Sequence, residues 1–155
     1  MTNDAAGADS YVLFELAGTT YGIRSSDVRQ LEMIEHITPV PNAADTVEGV
    51  VFSRGQVIPA VSLRTRFGFE KIPYDLRSRL IVVSVGDRNI GLIVDSAREF
   101  KRIPAELITP PPEGLAELSG RYLEAIANLD ESTILLLDLA EVIKPEAAAT
   151  DGAQN

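Results

Sequence analysis

The chain places its apolar residues in short bursts between Gly, Pro and Asn/Asp turns, and the clearest burst pair is Val47 to Leu63, VEGVVFSRGQVIPAVSL. Val47, Val50, Val51 and Phe52 lead into Ser53-Arg54-Gly55-Gln56, and Val57, Ile58, Ala60 and Val61 lead away. β-Branched residues on both sides of a glycine turn predict a hairpin. Gly55 accepts the positive φ of a tight turn, which leaves Arg54 at the tip. An arginine there is either a solvated turn residue or a partner contact on a rigid scaffold. Ser62 is placed to cap a helical turn holding Leu63 and Phe67, with Gly68 at its end.

The same grammar repeats along the chain. Tyr11–Leu16 is a strand apolar on both faces, Ala17-Gly18-Thr19-Thr20 turns it, and Tyr21–Arg24 returns. Ser25, Ser26 and Asp27 offer cap oxygens to a short helix over Asp27–Glu32, with Val28 and Leu31 three apart on one face. Ile37 and the turn-rich Thr38–Asn42 lead into the hairpin, and Phe69–Ser78 reads as a linker. Leu80–Val85 and Ile90–Val94 form a second strand pair around Gly86–Asn89. Pro104 starts a short helix with Glu106 and Leu107, and Pro110–Pro112 mark an exposed loop. Tyr122–Ala127 and Thr133–Leu137 make a further hairpin, followed by a helical turn capped by Asp138 with Glu141 and ended at Pro145.

These units align with one another. At an offset of 76, Val47, Glu48, Gly49 and Val50 meet Leu123, Glu124, Ala125 and Ile126, and the caps Ser62 and Asp138 coincide. At an offset of 69, Tyr11–Leu16 meets Leu80–Val85 and Gly22 meets Gly91. Thr38-Pro39 meets Thr109-Pro110 with slight slippage. A duplication of a five-stranded unit with Pro/Gly turns predicts a mainly β protein of two small barrels with a groove between them.

Composition narrows the function. A chain of 155 residues can bury about 68–70% of its unfolded surface and needs no staple. It has no cysteine, which excludes disulfides and thiolate chemistry. With 14 basic and 23 acidic residues it carries −9, which repels nucleic acid and anionic membrane surfaces. No apolar run approaches the ~20 residues of a membrane span, and the acidic Met1–Ser10 stretch is no signal peptide. A cytoplasmic protein is therefore expected, with residues 1–9 and 146–155 as disordered ends. His36 is the lone histidine, phosphate-cradling glycine motifs are absent, and Asp95 and Asp138 read as caps. No catalytic, metal or cofactor site is predicted, so protein binding is favoured over turnover.

Val47–Gly68 carries Gly49-Val50, Arg54-Gly55, Pro59, Leu63-Arg64 and Phe67-Gly68 in an order that resembles the signature of CheW-like domains, the bacterial chemotaxis coupling proteins. Tyr21-Gly22-Ile23, Pro41-Asn42, Gly91–Asp95 and Leu135–Leu139 fall in the same family order, so the likeness runs from Tyr11 to about Ile143. The resemblance implies two SH3-like five-stranded β-barrel subdomains, about 10–75 and 76–145, with a few short helices. It implies an adaptor that joins the cytoplasmic tip of methyl-accepting chemoreceptors to the regulatory domain of a CheA-type histidine kinase, with rings forming in membrane-associated receptor arrays. Arg54, Val28 and Gln30 match receptor-contacting positions, Leu31 lies beside them, and Ile37 matches an apolar kinase contact. The pattern departs from the family at four places: Phe52-Ser53 replaces Asn-Leu, Ser62 replaces Asp, Gln30 stands where an acid is frequent, and Arg24 stands where Asp is common. Those departures leave open a CheW-like scaffold of a divergent pilus or gliding pathway. From another class, a small-ligand barrel or an enzyme using the groove is the alternative.

Overall fold

The computed structural model describes residues 8–114, 120–130 and 132–144. Among them the chain is mainly β, with two sheets and a few one-turn helices. The strands are β1 (Ala8–Leu16), β2 (Thr19–Arg24), β3 (Val28–Met33), β4 (Val47–Ser53), β5 (Gln56–Ser62), β6 (Arg79–Val85), β7 (Arg88–Val94), β8 (Ser96–Pro104), β9 (Ile108–Thr109), β10 (Leu123–Leu129) and β11 (Ser132–Leu137). Helical turns α1 (Leu63–Arg66) and α2 (Leu139–Val142) follow β5 and β11. Both turns start as the sequence predicts: Ser62 accepts from the Thr65 N–H at 3.2 Å, and Asp138 from the Glu141 N–H at 3.4 Å.

Sheet A runs β8-β1-β2-β11-β10-β9 and sheet B runs β3-β6-β7-β5-β4. The duplication reappears in their registers. β2 lies parallel to β11 with Gly22 opposite Leu136, and β7 lies parallel to β5 with Gly91 opposite Ala60. β10 bulges at Glu124 where β4 bulges at Glu48, and β8 bulges at Arg98 where β3 bulges at Arg29. Even the short pairing of Thr109 with Ile126 has its counterpart in the bridge between Thr38 and Val50. A β-bulge is a specified feature of a strand pair, so its recurrence at matched offsets marks one ancestral unit.

The sheets do not divide at residue 75. Sheet A takes β1 and β2 from the first repeat and β8–β11 from the second, and sheet B takes β3–β5 from the first and β6 and β7 from the second. The boundary therefore separates the sequence repeats but not the sheets. This exchange explains why the YVLFEL and LIVVSV strands are apolar on both faces. Val12, Phe14, Leu16, Ile81 and Val83 enter a central core that also holds Leu63, Leu92, Leu137 and Val142. Their neighbours point the other way, Tyr11 and Leu13 into the concavity of sheet A and Leu80 and Val82 into that of sheet B. A strand buried on both sides has no polar face to show.

Three expectations need correction. The helix over Asp27–Glu32 is not formed; a 3-10 turn uses Ser25–Asp27, and Val28–Met33 is the edge strand β3, antiparallel to β6. Pairing with β6 decides this, because six residues make only a marginal helix and their alternation of half-buried with exposed positions fits a strand. Because Arg29 is bulged, Val28 and Leu31, opposite Val83 and Ile81, nevertheless share one side of the sheet. The nine-residue strand β8, against β1, went unread because its charges hide the period. Ala8 and Asp9, inside the stretch assigned to a tail, belong to β1, and Asp9 meets Arg24 at 3.3 Å. The remaining terminal residues, with Pro145, lie outside the described residues.

Candidate functional site

The β4–β5 hairpin turns on Arg54 (φ 50) and Gly55 (φ 82), the left-handed pair of a two-residue hairpin loop. Ser53 sits opposite Gln56, so the turn is tight and Arg54 projects exposed from a rigid tip. Behind the tip, Phe52 and Val57 are direct cross-strand neighbours, 74% and 64% exposed. Met33, 51% exposed, adds a third apolar side chain from β3. Exposed single apolar residues are ordinary, but a rigid cluster of them beside a cation has the composition of a protein-binding surface.

Sheet B curls until its two edge strands meet. Gln30 on β3 donates to Ser53 Oγ on β4 at 2.5 Å, the Ser53 hydroxyl donates to Glu32 at 2.6 Å, and the Gln30 amide also donates to Glu32. Ser53 is buried, while Gln30 and Glu32 are half-buried. Past this polar seam, residues 34–38 cross from β3 to the outer side of β4, where Thr38 and Val50 exchange backbone hydrogen bonds of 2.8 and 2.9 Å. Gly49 makes that crossing possible, because a Cβ there would lie 2.1 Å from the Thr38 carbonyl oxygen. Between crossing segment and hairpin runs a groove of about 450 Å³. Its walls include Glu32, Met33, Ile37, Phe52 and Val57, with Leu80 at the floor.

The structure brings the sequence-picked residues into one neighbourhood but not onto one face. Gln30 and Glu32 share the row of β3 opposite Val82 and Leu80, whereas Val28 and Leu31, the latter 37% exposed, lie on the other row, opposite Val83 and Ile81. Val28 packs against the central core. Ile37 is half-buried, packs on the core of sheet B and lines the groove. Sequence reasoning missed Glu32, Met33, Ser53 and Phe52–Val57. Read as a strand, the alternation in VRQLEM would have put Gln30 and Glu32 on one row.

Charged groups elsewhere hold the frame. Asp95 accepts both Arg64 Nε and Nη2 at 2.8 Å and the Ala17 N–H at 2.9 Å, tying α1 to the β1–β2 turn. Burial raises the Asp95 carboxyl, but the Arg64 hydrogen bonds and charge together with the Ala17 N–H outweigh it and hold the group below the usual carboxylate value. The two bulge glutamates act alike: Glu124 pairs with Arg24 at 2.5 Å and Glu48 with Lys71 at 2.7 Å. Glu48 also bonds Tyr74, whose phenol is pushed up to about 12 by burial first and by that carboxylate second. Among the described residues no group of three or more His, Asp or Glu side chains could hold a metal ion. No helix among them is long and apolar enough to cross a membrane.

The family model of the CheW-like domain matches residues 10–147. The chain belongs to the CheW-like family. A chemotaxis protein CheW of Klebsiella aerogenes is 30% identical over 139 residues, covering 90% of this chain and 84% of that protein. The crystal structure of the scaffolding protein TtCheW from Thermoanaerobacter tengcongensis matches with a TM-score of 0.82 at 31% identity, covering 89% of this chain and 94% of that one. Protein FrzA of Myxococcus xanthus is 25% identical over 135 residues, 86% of this chain and 84% of its own length. CheW-like proteins are non-catalytic chemotaxis scaffolds and adaptors, so the CheW-like chain acts by binding and is not an enzyme.

Proposed function

We propose that the chain couples the cytoplasmic tips of methyl-accepting chemoreceptors to a CheA-type histidine kinase, as a binding adaptor within receptor arrays. The observation that supports this best is the hairpin tip of sheet B, where exposed Arg54 sits at the turn and exposed Phe52 and Val57 behind it share a groove with Ile37. A receptor's helical hairpin would lay its apolar stripe along β3 and the tip, over Gln30 and Leu31, with Arg54 fixing its direction. Val28, packed into the core, would support that surface from beneath. Ile37, at the groove, would meet the CheW-like regulatory domain of the kinase. Passing a signal through such an adaptor requires two packing arrangements of different free energy, biased by the receptor.

The test uses two binding partners, a purified cytoplasmic signalling fragment of a host chemoreceptor and the host kinase's regulatory domain. Each is titrated separately into the purified chain. Both should bind, and Arg54→Asn should weaken the receptor fragment alone. A chain that binds neither overturns the adaptor reading.

A further inference from the structure

The polar seam of sheet B contains a charge that closing the sheet does not require. The hydrogen bond from Gln30 to Ser53 already joins β3 to β4 without any ionised group. Glu32 nevertheless sits beside it, its Oε2 taking hydrogen bonds from both partners. Both donors are neutral, and among the described residues no cation pairs with Glu32. A half-buried carboxylate without a counter-ion is costly, and neutral donors only partly offset its lost hydration. Sheet A supplies an internal control. At the matched offsets Leu129 stands for Ser53 and Lys101 for Glu32. Leu129 packs on the sheet A core, so there the position of Ser53 makes an apolar contact and the position of Glu32 is a lysine.

We infer that Glu32 is a specificity-determining residue of the receptor contact. It receives a cationic side chain, a lysine or arginine, from the receptor's helical tip, and Gln30 and Ser53 hold its carboxylate for that purpose. The inference rests on the receptor reading proposed above. Glu32 lines the groove beside exposed Met33, Phe52 and Val57, so an arriving cation would be desolvated against apolar walls, where a charge pair gains strength. Ser53, which donates to Glu32, adjoins Arg54 in the chain, so the hairpin end carries a positive group at its turn and holds a negative one across the seam. Such a pair reads a partner that carries the complementary pair in one order only, which fixes the polarity of a docked helical hairpin.

The test is titration of the purified chain with the receptor's cytoplasmic signalling fragment at low and high salt, with the kinase regulatory domain titrated in parallel. Glu32→Gln keeps the shape and the hydrogen bonds of the seam but removes the charge. It should weaken the receptor fragment about tenfold at low salt, flatten the salt dependence and leave the kinase domain's affinity unchanged. Glu32→Lys should weaken the receptor fragment further, and a receptor fragment with a tip cation changed to Glu should restore it. Unchanged receptor affinity and salt slope in Glu32→Gln, with Arg54→Asn still harmful, overturns the inference and leaves the adaptor reading standing. A large drop in Tm for Glu32→Gln would assign the carboxylate to the seam itself and also overturn it. Failure of the unaltered chain to bind the receptor fragment overturns both.

Discussion

Sheets A and B are two copies of one design that differ at their tips. The positions that make the curl are matched: Gly22 with Gly91, bulges at Glu124 and Glu48, and bulges at Arg98 and Arg29. The hairpin ends are not matched. Sheet B carries Phe52, Arg54 and Val57 where sheet A carries Asn128, Asp130 and Thr133. Arg54 and Asp130 share the same left-handed backbone, at φ 50 and φ 41, with opposite charge. What stayed the same after duplication bends strands, and the exposed hairpin ends diverged. Divergence is greatest where the groove opens, which is why sheet B and not sheet A presents the candidate surface.

The sharpest break between the copies is Gly49, which answers to Ala125 in sheet A. Gly49 stands at φ 153, with the Thr38 carbonyl in the space of a side chain. Gly49→Ala should destabilise the fold by about 3 kcal/mol or more, because backbone and not a pliable side chain must move. Ala125→Gly should cost about 1 kcal/mol, an ordinary loss of strand stiffness. Urea midpoints at constant m would measure both. Equal costs would mean that the crossing of residues 34–38 over β4 has no special role in sheet B.

The matched glycines come next. A Cβ on Gly22 would come 2.9 Å from Leu136 Cδ2, and one on Gly91 would come 2.7 Å from Leu80 Cδ1. Leucine ends can shift, so Gly22→Ala and Gly91→Ala should each cost about 1–3 kcal/mol, and nearly the same as each other. Thermal unfolding of the two variants compares them directly. If one proves silent, the copies pack less alike than their registers indicate.

Most of this fold was legible because its signals are local. The Ser53–Gln56 turn and the Ser62 and Asp138 caps act within a few residues, and the offsets of 69 and 76 added the duplication with its paired glycines. The exchange of strands between sheets was not legible, because both strand pairs are apolar on both faces and local pattern does not say which edge each one joins. The same blindness turned Val28–Met33 into a helix. Its partner β6 lies about fifty residues away, and with Arg29 in a bulge the alternation shows only once the strand is paired. The site was legible at Arg54, which a turn rule places, and illegible at the seam, which needs β3 and β4 brought together by the curl of the whole sheet.

Function gives a smaller effect than folding does, and it should be one-sided. Asn tolerates positive φ, so Arg54→Asn and Asp130→Asn remove charge at little backbone cost. Arg54→Asn should weaken the receptor fragment about tenfold, or about 1.4 kcal/mol. Asp130→Asn should leave it unchanged, and neither should move the unfolding midpoint appreciably. Equal losses of binding from both tips would show that the partner spans both sheets, and the functional asymmetry drawn from sheet B alone would fail.

The finest difference lies in the tie made by Asp95, because its matched position in the first repeat is Ser26, which has no charge to offer. Asp95 is held below the ordinary carboxylate value in the folded chain: burial opposes this, and the Arg64 and Ala17 contacts overcome it. A folded pKa below the unfolded one means that ionised Asp95 adds stability above the unfolded value of about 3.9, and that this stability is lost as pH falls through the lower folded value. Asp95→Asn still offers an acceptor to the Ala17 N–H but no charge to Arg64. The variant should be less stable than the parent at neutral pH, and the two should converge below about pH 4. Ser26→Ala should run parallel to the parent through the same window. The measurement is the urea midpoint against pH for the three proteins. Parallel curves for Asp95→Asn would show that the Arg64 pairing is no stronger folded than unfolded. Convergence would place an acid-sensitive strut between α1 and the β1–β2 turn on one copy only.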